Sequence, residues 1–128
     1  MGELSVAELL LGLARQDALA YTKLASDPEI KDPLVGFHAQ QTVEKAIKAV
    51  LSHANVPFRR THDIAELLDL LADSGHPGPP HADRLDEFTP FAVELRYGLV
   101  QPSGLDRKAV GVVLRDVIDW ADSALRRP

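Results

Sequence analysis

The chain has 128 residues, 45% of them hydrophobic and 26% charged, with a formal net charge of −5 and no cysteine. That length fits one domain, spanning residues 1–128, with an ordinary core. The missing cysteine excludes disulfides and thiolate metal sites; the acidic balance argues against a protein that coats nucleic acid; and no apolar run approaches the roughly 18 residues of a membrane span.

Met1-Gly2-Glu3 lacks the basic start of a secretory leader, so a soluble cytoplasmic protein without membrane contact is expected. The first helix is predicted from Ser5 to Ala25. Ser5 with Glu8 reads as a capping box. Val6, Leu10, Leu13, Tyr21 and Leu24 read as its inner stripe, with Asp17 in the middle of it. A lone carboxylate in such a stripe needs a partner. Asp17 is therefore read as a structural polar residue, with a site acid as the sharper reading.

Asp27-Pro28 and Asp32-Pro33 bracket a connector to a second helix, about Pro33 to His53, closed by Asn55 and Pro57. At about 100° per residue, Gly36, Ala39, Val43, Ala46, Ile47 and Val50 share one arc. His38, Gln41, Lys45 and Lys48 lie opposite, and the first three form an i, i+3, i+7 row. Gln40, at the edge of the apolar arc, needs hydrogen-bond partners if buried. Between Gly36 and His62 stand Lys45, Lys48, Arg59 and Arg60 against Glu44 alone, a local +3 on an acidic chain. Such a face suits a small anion or an acidic partner.

Asp63 caps a third helix, with Glu66 three residues on and Ile64, Leu67, Leu68 and Leu71 facing inward. His62, just before the cap, reads as a turn residue. His76 and His81 flank a Gly/Pro-rich loop, with no further ligand placed to make a metal site. Asp83 starts a fourth helix, with Leu85 and Phe88 inward, broken at Thr89-Pro90. Its second piece points Phe91, Ala92 and Leu95 inward and ends at Arg96-Tyr97-Gly98. A pair between Arg96 and either Asp17 or Glu44 would explain charge near the interior. The last helix runs from about Asp106 to Ala124 on Val110, Leu114, Val117, Ala121 and Leu125. Val113, Ile118 and Trp120 broaden its stripe, which suggests self-association. The fold class is all-α, an up-and-down antiparallel bundle of four to five helices. Neither a phosphate-cradling glycine loop nor a zinc-binding H-E-x-x-H occurs, and no cofactor is expected.

Three runs carry a resemblance: residues 32–49, with Phe37-His38-Ala39-Gln40-Gln41-Thr42-Val43-Glu44-Lys45-Ala46-Ile47-Lys48-Ala49 at their heart; Arg60-Thr61-His62-Asp63-Ile64; and Phe88 to Tyr97. With the helix order, they make the chain resemble a HEPN domain. The resemblance implies a helical bundle that dimerises, with a cleft at the dimer interface. It also implies pairing with a minimal nucleotidyltransferase, in the manner of toxin–antitoxin modules, and a nucleotide or RNA ligand. Active members of the family are metal-independent ribonucleases with an arginine, four to six residues, then a histidine. Here Arg96 is the candidate arginine, but residues 101 to 103 are Gln101, Pro102 and Ser103, and no histidine follows His81. A binding protein without catalysis is therefore expected, with His38, Gln41, Lys45, Lys48, Arg96 and Tyr97 contacting the ligand and Asp17, Gln40 and Glu44 as structural polar residues. A ribonuclease with a relocated histidine is the alternative.

Overall fold

The computed structural model describes residues 4–92 and 104–127. They form an all-α bundle: α1 (Val6–Ala25), α2 (Asp32–His53), α3 (Ile64–Asp73), a 3-10 turn (Leu85–Phe88) and α4 (Arg107–Arg126). The helix expected to start at Asp83 is only this 3-10 turn, because residues 80–84 are themselves a turn; it passes directly into α-helical residues 89–92, with Thr89 in the helical region, so the interruption at Thr89-Pro90 is a change of helix type. Leu95 and the expected end of that helix at Arg96-Tyr97-Gly98 lie outside the described residues.

Local chemistry sets the ends. The Ser5 hydroxyl accepts from the Glu8 amide at 3.1 Å, Asp63 from Glu66 at 3.3 Å and Asp106 from Ala109 at 3.1 Å. Each satisfies one of the free amides that a helix N-terminus leaves. Pro33 occupies the first turn of α2. Asn55 and Gly75, both at positive φ, turn the chain out of α2 and α3.

Helix α2 is the axis of the fold. It packs on α1, α4, α3 and the 3-10 turn, while α1 and α4 also touch each other. Arg15 of α1 meets Asp122 of α4, and Tyr21 meets Arg107, so α1 and α4 run antiparallel. Asp32 meets Arg107 and His53 meets Arg127, so α2 and α4 run the same way. The expected arc of α2 is buried throughout, and Val35, Thr42, Ala49 and Leu51 are buried as well. Truncating a fully buried side chain such as Leu51 to alanine is worth about 2–5 kcal/mol. The face opposite the arc, expected to stand open, is half-buried at His38, Gln41, Lys45 and Lys48.

The inner stripe of α1 is not the expected one. Ala7, Leu11, Ala14 and Tyr21 are buried, whereas Val6 is 62% and Leu13 51% exposed. Leu10 and Leu24 are half-buried. Two apolar arcs adjoin on this helix, and the one rich in small residues faces inward. Alanines let α1 approach α2 and α4 closely; the larger aliphatic arc is left outside. In α4, Leu114, Val117, Ile118 and Ala121 are buried, while Val110, Val113, Trp120 and Leu125 are half-buried.

Gly36 marks the tightest crossing. A Cβ there would overlap the ring of Phe91, so the absent side chain is what lets residues 89–92 lie on α2.

Candidate functional site

Two carboxylates, one on each flank of α2, organise the polar residues. The first is Asp17, carried by α1 towards α2. His38 and Lys45 lie two turns apart on α2 and straddle it. The Nδ1 of His38 is 3.1 Å from one Asp17 oxygen, and the Nζ of Lys45 is 2.7 Å from the other. The expected pairing of Arg96 with either Asp17 or Glu44 falls on an arginine outside the described residues. The partners seen are His38 and Lys45, and they explain how the carboxylate survives beside the core.

The second is Glu44, whose side chain is only 5% exposed. Its Oε1 accepts from the Nε2 of Gln40 at 2.7 Å and lies 2.8 Å from the Nδ1 of His62. Its Oε2 accepts from Lys48 at 2.9 Å. The network runs on: Gln41 donates to the side-chain Oε1 of Gln40 at 2.6 Å, and Gln40 also donates to the His62 backbone carbonyl at 3.3 Å. The buried amide of Gln40 is thus satisfied at both ends, which removes the cost of burying it. Lys48 also sits 5.8 Å from the centre of the Phe58 ring.

The two histidines are held alike. An ionised carboxylate only accepts, so the Nδ1 of each imidazole carries a proton and the Nε2 is left for other partners. Thr42 donates to the His38 carbonyl at 2.8 Å, and Phe37 meets the His38 ring edge to face at 5.5 Å. His62, read from sequence as a turn residue, belongs to the Glu44 network, and its side chain is 54% exposed. Sequence carried a signal for it: Glu44 stands on the polar edge of a helix that is otherwise core, and such a carboxylate needs more than one partner.

The charge of this surface differs from its sequence count. Lys45 is met by Asp17, Lys48 by Glu44, and Arg59 by Glu66 through bonds of 2.6 to 3.1 Å. Asp17 and Glu66 lie outside the stretch that counted +3, and folding brings them onto it. The face is therefore close to neutral, rich in fixed donors and acceptors. The structure brings together His38, Gln41, Lys45, Lys48, Asp17, Gln40 and Glu44; Arg96 and Tyr97 lie outside the described residues. Away from this face, His81 pairs with Asp116 at 2.9 Å. Among the described residues no three metal-ligating side chains converge, and no helix is long and apolar enough to cross a membrane.

The family model for the HEPN domain matches residues 9–122. The chain belongs to the HEPN family. The match covers most of α1, all of α2 and α3 and most of α4, so both carboxylate networks fall inside the HEPN domain. No curated protein and no solved structure matches the chain significantly.

Proposed function

We propose that residues 1–128 act as a single HEPN unit that binds rather than cuts, and that the α2 face engages a minimal nucleotidyltransferase in a toxin–antitoxin type pair. The observation that carries this reading is the internal neutralisation of the face. Lys45 and Lys48 each already hold a carboxylate of the same chain. A ligand phosphate at either lysine has to compete with that carboxylate. A protein surface only has to match the second ring nitrogens of His38 and His62 and the half-buried amide of Gln41. Fixed, paired groups of this kind give specificity at low ordering cost. Arg96 and Tyr97 follow from the family resemblance as further contacts, and a nucleotide held between Lys45, Lys48 and Arg96 is the secondary ligand. The family's self-association is supported by an apolar row on α1, where Val6, Leu9 and Leu13 are exposed, with Leu4 exposed just before the helix.

One observation favours the ribonuclease reading as the second. Each imidazole is oriented through Nδ1 by a carboxylate, and among the described residues its Nε2 meets no protein partner, the arrangement a general base requires. A single experiment divides the two. The purified chain is mixed with a minimal nucleotidyltransferase in a calorimeter, and in parallel incubated with total RNA and transfer RNA. Binding heat that falls in Lys45→Glu, with RNA left intact, is expected. RNA cleavage abolished by His38→Ala or His62→Ala, without binding heat, overturns the proposal. Sedimentation of Leu9→Lys tests the dimer: a shift to monomer is expected.

A further inference from the structure

We propose that the α2 face selects a partner that presents hydrogen-bond donors, foremost an arginine guanidinium, over one that presents phosphate or carboxylate oxygens. This names the chemistry of the partner at that face, and so rests on the reading of the face as the binding surface. What carries it is the direction of each hydrogen bond in the two networks.

The direction is forced from the carboxylates outwards. The ionised Glu44 carboxylate and the His62 backbone carbonyl only accept, so both N–H groups of Gln40 turn to them, at 2.7 and 3.3 Å. Gln40 is fully buried, so its amide has no water to turn to instead. Its Oε1 then faces Gln41, and only the Nε2 of Gln41 can meet it, at 2.6 Å. Gln41 thus spends an N–H inward. Its Oε1, an acceptor, meets no protein partner among the described residues. The rings are fixed in the same way. His38 gives its Nδ1 proton to Asp17 at 3.1 Å, and His62 gives its own to Glu44 at 2.8 Å. In the neutral rings, Nε2 is then an acceptor at both.

The face therefore offers oriented acceptors at His38, Gln41 and His62. His38 and Gln41 stand three residues apart on one surface of α2, a spacing that leaves about 5–6 Å between Cβ atoms. A guanidinium carries its N–H donors in a planar fork and has no acceptor, so it can serve both at once. The net charge of −5 draws a cation towards the chain. A phosphate or carboxylate meets the reverse. Its oxygens would face acceptors, and each ammonium that could draw it is already held by a carboxylate, Lys45 by Asp17 at 2.7 Å and Lys48 by Glu44 at 2.9 Å. An anion at either lysine comes up against that carboxylate.

The full chain, labelled with nitrogen-15, is titrated with N-acetylarginine amide, with acetate and with inorganic phosphate, with no nucleotidyltransferase present. Ring-nitrogen shifts at mildly alkaline pH, which favours neutral imidazole, read the tautomers directly. Both His38 and His62 should carry the proton on Nδ1. Saturable shifts at these rings and at the Gln41 amide are expected with the guanidinium compound, and none with acetate or phosphate. Gln41→Met, which removes the acceptor, should weaken that binding roughly tenfold, whereas Gln41→Glu, which keeps one, should retain it. A proton on Nε2 of either ring, no saturable shift with the guanidinium compound, an equal response to phosphate or acetate, or unaltered affinity in Gln41→Met overturns the proposal. A nucleotidyltransferase that binds the face while the guanidinium compound does not would sink this inference alone and leave the reading of the α2 face standing.

Discussion

Two charged clusters hold α2 in place, and they are built on opposite principles. At the start of α2, the Arg107 guanidinium is spent entirely on its own chain. Its Nε and Nη2 meet Asp32 at 3.1 and 2.9 Å, Nη2 also meets the Ile30 carbonyl, and Nη1 meets the carbonyls of Ala25 and Asp27 at 3.2 Å. The Leu105 amide closes the second Asp32 oxygen at 2.9 Å. This joint ties the α1–α2 connector to α4 and leaves no nitrogen of Arg107 for anything else. The α2 face pairs its charges just as fully at the carboxylates, yet among the described residues each imidazole is held through Nδ1 alone. A cluster with no unused group is a fastening. A cluster with oriented, unused groups is able to hold something from outside.

The largest expected effect breaks the fastening. Arg107→Ala strands Asp32 and three carbonyls, and should cost about 2–4 kcal/mol in urea denaturation. Partner binding by the molecules still folded should not change. The Asp32 carboxyl is held below its ordinary 3.8, first by the Leu105 amide and then by Arg107, against the opposing effect of burial. A depressed carboxylate stabilises the fold above 3.8, and that stability is lost as the pH falls from there through the lower folded value. The acid limb of a stability–pH curve should therefore flatten in Asp32→Asn.

Next in size is Gly36→Ala, which tests sign as well as size. Helix propensity alone favours alanine by about 1 kcal/mol. Overlap with Phe91 opposes it, and overpacking of this kind costs about 1–3 kcal/mol. Net destabilisation in thermal melts is expected; a stabilised variant would show that residues 89–92 do not press on α2.

Tyr21→Phe removes the bond from the tyrosine hydroxyl to the Arg107 carbonyl, 2.7 Å long, for about 1 kcal/mol. Burial, outweighing the nearby Arg107 charge, pushes the Tyr21 hydroxyl up from 10.0 to about 12. The neutral form is the folded one, so this contribution is intact below pH 10.0 and lost as the pH rises through about 12. The alkaline limb measured by circular dichroism should be shallower in Tyr21→Phe.

The smallest stability effect is expected at His62→Ala, under about 1 kcal/mol, because the ring is mostly exposed and Glu44 keeps Gln40 and Lys48. Its effect on partner binding should be larger than its effect on stability. The reverse order would place His62 with the fastenings.

Much of this was legible in the chain. The caps at Ser5 and Asp63, the start of the last helix near Asp106 and the stop at Asn55-Pro57 are local, and each formed where its residues ask for it. The arc of α2 from Gly36 to Val50 was legible because its apolar pattern has one solution. The arc of α1 was not, since two apolar faces adjoin and sequence favours the larger side chains, while close packing chose Ala7, Leu11 and Ala14. Within the site, the need of Asp17, Gln40 and Glu44 for partners was readable, because burial makes an unpaired polar group costly. The identity of those partners was not.

By itself, then, the sequence determined α1, α2, α3 and α4, the family and the residues that had to be paired. Those depend on neighbours within one or two turns and on composition. Only the tertiary structure decided that Asp17 lands on Lys45 and His38, that His62 reaches Glu44, and that Glu66 meets Arg59. Acids from outside the stretch, Asp17 and Glu66, lower to +1 a local +3 that a linear count leaves standing. Coulomb energy depends on distance in space, and no reading along the chain supplies that distance.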